Sequence, residues 1–340
     1  MRNPTPPAPL GSVARVSTRH RIGEVIGKVV RVREISMLVL IFVTCALMAT
    51  LSPHFLNMAN FTAIARGFSM EGLVVVGMST LLIAGAFDLS VGSIMALSGI
   101  IAAWLIVKVQ MPYPVAVLGG LGVGLVSGAI NGIIVTRIKV NPLIATLGMM
   151  SVARGVALGF TEGHPVINVP KDFALLGQGY LFGVPLPIIY MLVIVVIADI
   201  LLRRGRVFRQ LYYVGSSEKA ARLSGINVDR VVLLAYIGCG VITALAGVIS
   251  MARLTSGVPT AFAGVELRII AACVIGGCSL SGGEGTTIGA VLGLIFMALI
   301  TNALTLFGVS IYWEGVVTGT ILTAAVSLDM LSRRRLRSTS

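Results

Sequence analysis

The stretch Val115-Ala-Val-Leu-Gly-Gly-Leu-Gly-Val-Gly-Leu-Val-Ser-Gly-Ala-Ile-Asn-Gly-Ile-Ile-Val-Thr-Arg-Ile138 decides what kind of protein this is. No charge interrupts it from Val115 to Thr136. At about 1.5 Å per residue, roughly 20 such residues cross the hydrocarbon core of a bilayer as a helix. Arg137 and Lys139 close it, which sets a basic link at one membrane face. Gly120, Gly124, Gly128 and Gly132 recur every fourth residue and share one helix face. Stripes of small residues let helix backbones approach closely in lipid, where burial alone drives little association. Packing within one subunit is the expected use of this stripe.

The rest of the chain repeats the message. Of 340 residues, 56% are apolar and 11% charged, where soluble domains carry about 25% charge. Mean hydropathy is +0.98. That supply cannot build a water-facing surface, which excludes a soluble enzyme and a secreted disulfide module. Ten apolar segments can be drawn: 35–51, 62–84, 91–109, 115–138, 142–159, 186–202, 228–250, 265–275, 286–304 and 311–331. The fold class is therefore an all-α integral membrane protein of about ten transmembrane helices, two of them short or broken. The fifth segment, holding Arg154, and the short eighth, holding Glu266 and Arg268, read as half-helices buried against protein. A second stripe, Gly285, Gly289 and Gly293, marks the ninth. An offset of 191 lays Gly85–Gly92 over Gly276–Gly283 and suggests a parallel repeat of spans 1–4 and 7–10.

The net charge of +13 has a definite placement. Twenty of the 26 basic residues lie in four groups beside apolar segments: 2–33, 137–139, 203–230 and 333–337. With ten spans and both termini inside, all four groups face the cytosol, as the positive-inside rule requires. This makes the charge a topology label and argues against nucleic acid as a partner. The organisation is then a basic cytosolic tail over 1–34, a permease domain over 35–331 with a cytosolic loop over 203–227, and a basic cytosolic tail over 332–340.

No catalytic or metal constellation emerges. Walker A is absent, the four cysteines sit in apolar runs without C-x-x-C spacing, and the three histidines are scattered. If transport uses ATP, another chain hydrolyses it. Polar residues inside a membrane are costly and tend to face an interior or a cavity. The candidates for a translocation path or gate are Asp88, Ser90, Asn131, Asn141, Thr146, Glu266 and Glu314. For Asp88 the competing reading is a cap on the helix that opens near Val91. Hydroxyl and amide groups in the spans, with no acidic ring or basic ladder, suit a neutral polyol or sugar.

One cytosolic segment stands out: Gly215-Ser-Ser-Glu-Lys-Ala-Ala-Arg-Leu-Ser-Gly225. Ser216 or Ser217 can cap a short helix, Glu218 suits its first turn and Gly225 a left-handed stop. Two turns are too few to be stable alone, so a docked role makes sense, with Ala220 and Ala221 on one side. The segment resembles the coupling segment of permease subunits in bacterial ABC sugar importers of the ribose/xylose/arabinose/autoinducer-2 type, distant relatives of branched-chain amino-acid permeases. Asp88-Leu-Ser-Val-Gly-Ser93, Asn141-Pro-Leu-Ile-Ala-Thr-Leu-Gly148 and Gly276-Gly-Cys-Ser-Leu-Ser-Gly-Gly-Glu-Gly-Thr286 agree with the same family, in family order.

The resemblance implies a multi-pass subunit of the bacterial inner membrane that pairs with a second permease. Cytosolic ATPase subunits carrying ATP and magnesium bind beneath it, and a periplasmic sugar-binding protein docks above. Glu218, Ala221, Arg222, Ser224 and Gly225 would belong to the coupling helix. The chain departs from the family pattern at Ser217-Glu218-Lys219 and at Ala86-Phe87-Asp88. It departs again at Arg268, where Asp is expected, and at Glu314, where a Gln-like residue is common. A secondary transporter or channel for a small neutral solute is the alternative; it needs no ATPase.

Overall fold

The computed structural model describes residues 33–338. The tail expected over 1–34 lies outside the described residues apart from its last two. Thirteen α-helices make up nearly all of the rest: α1 (Arg33–Leu51), α2 (Met58–Ile83), α3 (Val91–Val107), α4 (Tyr113–Thr136), α5 (Pro142–Thr161), α6 (Lys171–Gln178), α7 (Leu186–Arg204), α8 (Arg206–Ser216), α9 (Glu218–Leu223), α10 (Val228–Leu254), α11 (Val265–Ile275), α12 (Thr287–Leu306) and α13 (Glu314–Ser338). Between α6 and α7 a two-residue hairpin pairs β1 (Tyr180–Leu181) with β2 (Val184–Pro185). Phe182 and Gly183 both take positive φ at its tip, as a tight hairpin turn demands.

Among the described residues seven helices are long and apolar enough to cross a membrane: α1, α2, α4, α5, α7, α10 and α12. α3 and the first part of α13 are shorter apolar helices, and α11 has 11 residues. Length and composition alone thus carry seven crossings, and the other three expected spans fall on the shorter α3 and α11 and on α13. The fifth segment is a correction: α5 is a full 20-residue helix despite Arg154. At the other end α13 runs to Ser338, so Arg333–Arg337 stand on its last turns.

α2 and α10 form the axis. Of their most apolar stretches 72% and 61% are buried, against 11% in α1 and 22% in α5 and α7. The outer helices keep apolar faces outward, as lipid-facing helices must. One core packs α2, α10, α11 and α12 together, and a second joins α3, α4, α5 and α6 to the C-terminal half of α10.

The stripe on α4 lies against α10. A methyl added at Gly124 would fall on the Gly240 carbonyl, and one at Gly128 on the Tyr236 carbonyl. On the second stripe, Gly289 and Gly293 meet the Gly276 and Ala272 carbonyls. Gly285 precedes α12, with φ +140°, beside Cys278, so it does not share that helix face. Gly122, on the other side of α4, has open space around it. Gly124→Leu should therefore destabilise the folded subunit by about 3 kcal/mol or more, since the clash is with backbone that cannot yield. Gly122→Leu should leave the unfolding temperature in detergent unchanged or raised. Equal melting of the two variants would refute the packing assignment.

Candidate functional site

The chain between α10 and α11 is irregular yet runs deep into the bundle. Thr255 ends α10 in the left-handed region. Gly257 then packs against Ile100 and Ala103 of α3, and the Phe262 carbonyl lies against Gly92 at the start of α3. Backbone that leaves helix geometry inside a bundle has carbonyls to satisfy. Arg154 of α5 does this, donating from one guanidinium nitrogen to the carbonyls of Pro259 (2.5 Å) and Ala261 (2.8 Å). The Glu266 carboxylate, in the first turn of α11, lies within electrostatic reach of Arg154 and beside Gly92. A broken helix of this kind brings polar groups to mid-bundle, the usual place for a transported solute to be held.

Two residues further, Arg268 joins three helices. Its guanidinium pairs with Glu71 of α2 and, at 2.5 Å, with Glu314 at the start of α13. Glu314 also accepts from the Thr301 hydroxyl of α12 at 3.2 Å. All three ionic side chains are more than two-thirds shielded. Glu266 and Arg268, two apart on α11, make no pair with each other among the described residues. Arg268 and Glu314, both departures from the family pattern, are partners.

Asp88, Ser90 and Asn131 come together, and among the described residues no hydrogen bond or ion pair joins them to Glu266 or Glu314. Asp88 is fully buried and accepts from the Ser90 backbone N–H (2.8 Å) and hydroxyl (2.5 Å) and from the Asn131 side-chain amide (3.1 Å). Tyr236 of α10 adds a bond from its hydroxyl to the Phe87 carbonyl. Asp88 thus ties the turn before α3 to α4; its backbone bond is to Ser90, the residue that precedes the helix, and no side chain caps α3 itself. Asn141 caps α5 at the surface by accepting from the Leu143 N–H. Thr146 bonds back to the Pro142 carbonyl of its own helix. Neither joins the other candidates.

The basic residues of the links gather at one end of the bundle. There Gly283 N–H donates to the Ile83 carbonyl at 2.9 Å, and Gly85, Gly215 and Gly282 pack backbone to backbone. The two glycine-rich turns, 85–92 and 276–283, therefore meet beneath α8. Tyr212 of α8 donates to the Gly285 carbonyl at 3.0 Å, and burial pushes its phenol up, which keeps it a donor. α9 follows. Ser217 caps it by accepting from the Ala220 N–H, and Gly225 stops it at φ +79°. Arg222 bridges Asp229 of α10 (2.7 Å) and Glu218 (2.8 Å), bonds that hold its guanidinium charged. Lys139, in the α4–α5 link, also reaches Asp229 at 2.7 Å. Exposed pairs of this kind add little stability, but they link α9 to three transmembrane helices.

Of the expected coupling residues, Glu218, Arg222, Ser224 and Gly225 are exposed, whereas Ala221 turns inward and is buried. The outward apolar group is Leu223, 82% exposed. A lone leucine at the tip of a polar helix is the signal in the sequence that points to it. Arg154 and Glu71 were likewise visible as charges in apolar segments, but their partners were not. Clusters of three or more His, Cys, Asp or Glu that could hold a metal ion are absent among the described residues.

Comparison with known proteins gives these features a context. Residues 60–326 match the family described as branched-chain amino acid transport system / permease component. The ribose import permease protein RbsC of Escherichia coli (strain K12) is 39% identical over 300 residues, covering 87% of this chain and 93% of that protein. RbsC of Bacillus subtilis (strain 168) is 40% identical, covering 85% and 90%. The L-arabinose transport system permease protein AraH of Escherichia coli (strain K12) is 34% identical, covering 88% and 90%. No solved structure matches. The chain belongs to the branched-chain amino acid transport system / permease component family, among relatives that are sugar permeases.

Proposed function

We propose that the chain is the membrane-spanning permease subunit of an ATP-binding-cassette importer that moves a monosaccharide or similar neutral polyol into the cytosol. The observation that carries the coupling is α9, a capped two-turn helix at the basic end. It projects Leu223 outward and is tied through Arg222, Asp229 and Lys139 to α4, α5 and α10. ATP and magnesium belong to cytosolic ATPase subunits that bind this end. The basic links put that end in the cytosol by the positive-inside rule, with both termini inside and ten passes once α3, α11 and α13 are counted. A second permease subunit completes the path, and a periplasmic sugar-binding protein meets the opposite end, where the β1–β2 hairpin exposes Phe182.

ATP binding would draw the ATPase subunits together and move α9, and with it the meeting glycine turns beneath α8. Rigid-body switching of this type needs only that ATP favour one of two states. Relatives named as permeases for ribose, L-arabinose and D-allose support a pentose or hexose cargo. The test is reconstitution in proteoliposomes with a cognate ATPase and a sugar-binding protein. Uptake of labelled ribose, arabinose or allose should require enclosed ATP. Undiminished uptake without the ATPase would overturn the reading and favour a secondary transporter or channel.

A further inference from the structure

A cavity of about 1060 Å³ with a mainly apolar lining lies at the basic end, between α2, α7, α8 and α10. Val76, Ile194 and Ile242 wall its depth, and Ile197 and Leu234, both half exposed, stand at its mouth on the outer face of the spans. Polar groups collect at the other end, where Gln210, Asn227 and Arg230 line it beside the turn that follows α9. The Arg230 side chain is exposed and makes no ion pair among the described residues. Arg206 and Arg209 flank Val207 and Phe208, which also line the cavity, and they too are unpaired there.

α8 itself is strongly amphipathic: Leu211 and Val214 are buried, whereas Arg206 and Arg209 are exposed. Its apolar residues pack on the bundle, so the arginines are turned outward where α7 ends. An apolar trough open toward lipid, ending in unpaired arginines at the interface, is complementary to one kind of molecule. We propose that the cavity seats an anionic phospholipid of the cytosolic leaflet, with an acyl chain along Val76, Ile194 and Ile242 and the phosphate on Arg230.

Two comparisons within the molecule support that occupant. A second apolar cavity, about 960 Å³, lies at the opposite end between α4, α6, α7 and α10, and the charge lining it is Asp172, not an arginine. An anionic head group fits the first cavity and not the second. The segment 1–32 of this chain is the other candidate occupant, but it carries six basic residues and one acidic residue, Glu24, and would bring like charge to Arg230. Because the cavity wall includes Ser224–Asn227, a bound lipid would also brace the turn through which α9 joins α10. The site depends on the basic end facing the cytosol and not on the identity of the sugar.

Native mass spectrometry of the purified full chain in detergent, titrated with phosphatidylglycerol or phosphatidylcholine of matched chains, tests this. The wild type should retain phosphatidylglycerol in preference to phosphatidylcholine. Arg230→Gln should weaken phosphatidylglycerol binding about fivefold, the scale of one interfacial cation. Ala198→Phe, which fills the trough, should weaken both lipids, and Lys171→Gln at the opposite end should change neither. Equal retention of the two lipids by the wild type, or Arg230→Gln binding like the wild type, would overturn the proposal. Loss of self-association in Ala198→Phe with lipid binding intact would assign the trough to a second copy of the chain and would equally overturn it.

Discussion

Replacing Arg268 by methionine should cost the folded subunit about 3 kcal/mol and abolish uptake. Breaking a shielded ion pair from one side costs about 3–5 kcal/mol, because the partner charge is left without compensation. Here two partners are left: Glu71 from α2 and Glu314 from α13 would face each other across the space the guanidinium filled. Partial exposure of the cluster keeps the expected cost at the low end of that range. The check is thermal unfolding of the variant in detergent beside Arg268→Met combined with Glu71→Gln and Glu314→Gln. Removing all three charges takes away the repulsion as well as the attraction, so the triple variant should recover most of the lost stability. If it melts no higher than the single variant, shape and not charge explains the role of Arg268. If it melts normally but transports nothing, the cluster serves the moving states of the bundle and not its folding.

Leu223→Asp should abolish ATP-driven uptake while leaving the unfolding temperature where it was. Leu223 is the apolar group that α9 holds outward, so its loss removes little from the fold. Burying a leucine in a partner's groove is worth about 1.5–3 kcal/mol, or roughly tenfold or more in affinity. Aspartate adds the cost of burying a charge without a partner. Pull-down of the ATPase by the detergent-solubilised variant, together with uptake, reads the effect. Normal capture of the ATPase would show that α9 docks by another face or not at all. A lowered unfolding temperature would place the defect in this chain instead.

Much of the candidate site could be read from local pattern. Ser217, Glu218 and Gly225 announce a capped two-turn helix, and the structure has α9 in that place. The periodic glycines of α4 signal close approach of another helix. α8 is legible too, since Val207, Leu211 and Val214 repeat at helical spacing, although the charges between them suit a loop equally well. Local pattern could not say that Ala221 turns inward and Leu223 outward. That depends on which side of a six-residue helix faces the bundle, and six residues carry too little periodicity to decide.

By itself the sequence determined that this chain lives in a membrane as a helical protein, which end of the helices bears the basic links, and which family it resembles. Those are properties of composition, spacing and short motifs, set by what lipid and water each tolerate. Only the tertiary structure decided which polar residues meet. Glu71 and Arg268 are 197 positions apart, Asp88 and Asn131 are 43 apart, and Arg154 reaches carbonyls more than 100 residues away. A buried charge signals from sequence only that it needs a partner. The choice among partners belongs to the packing of whole helices, where the glycine faces of α4 and α12 fix how closely and in what register the neighbours lie.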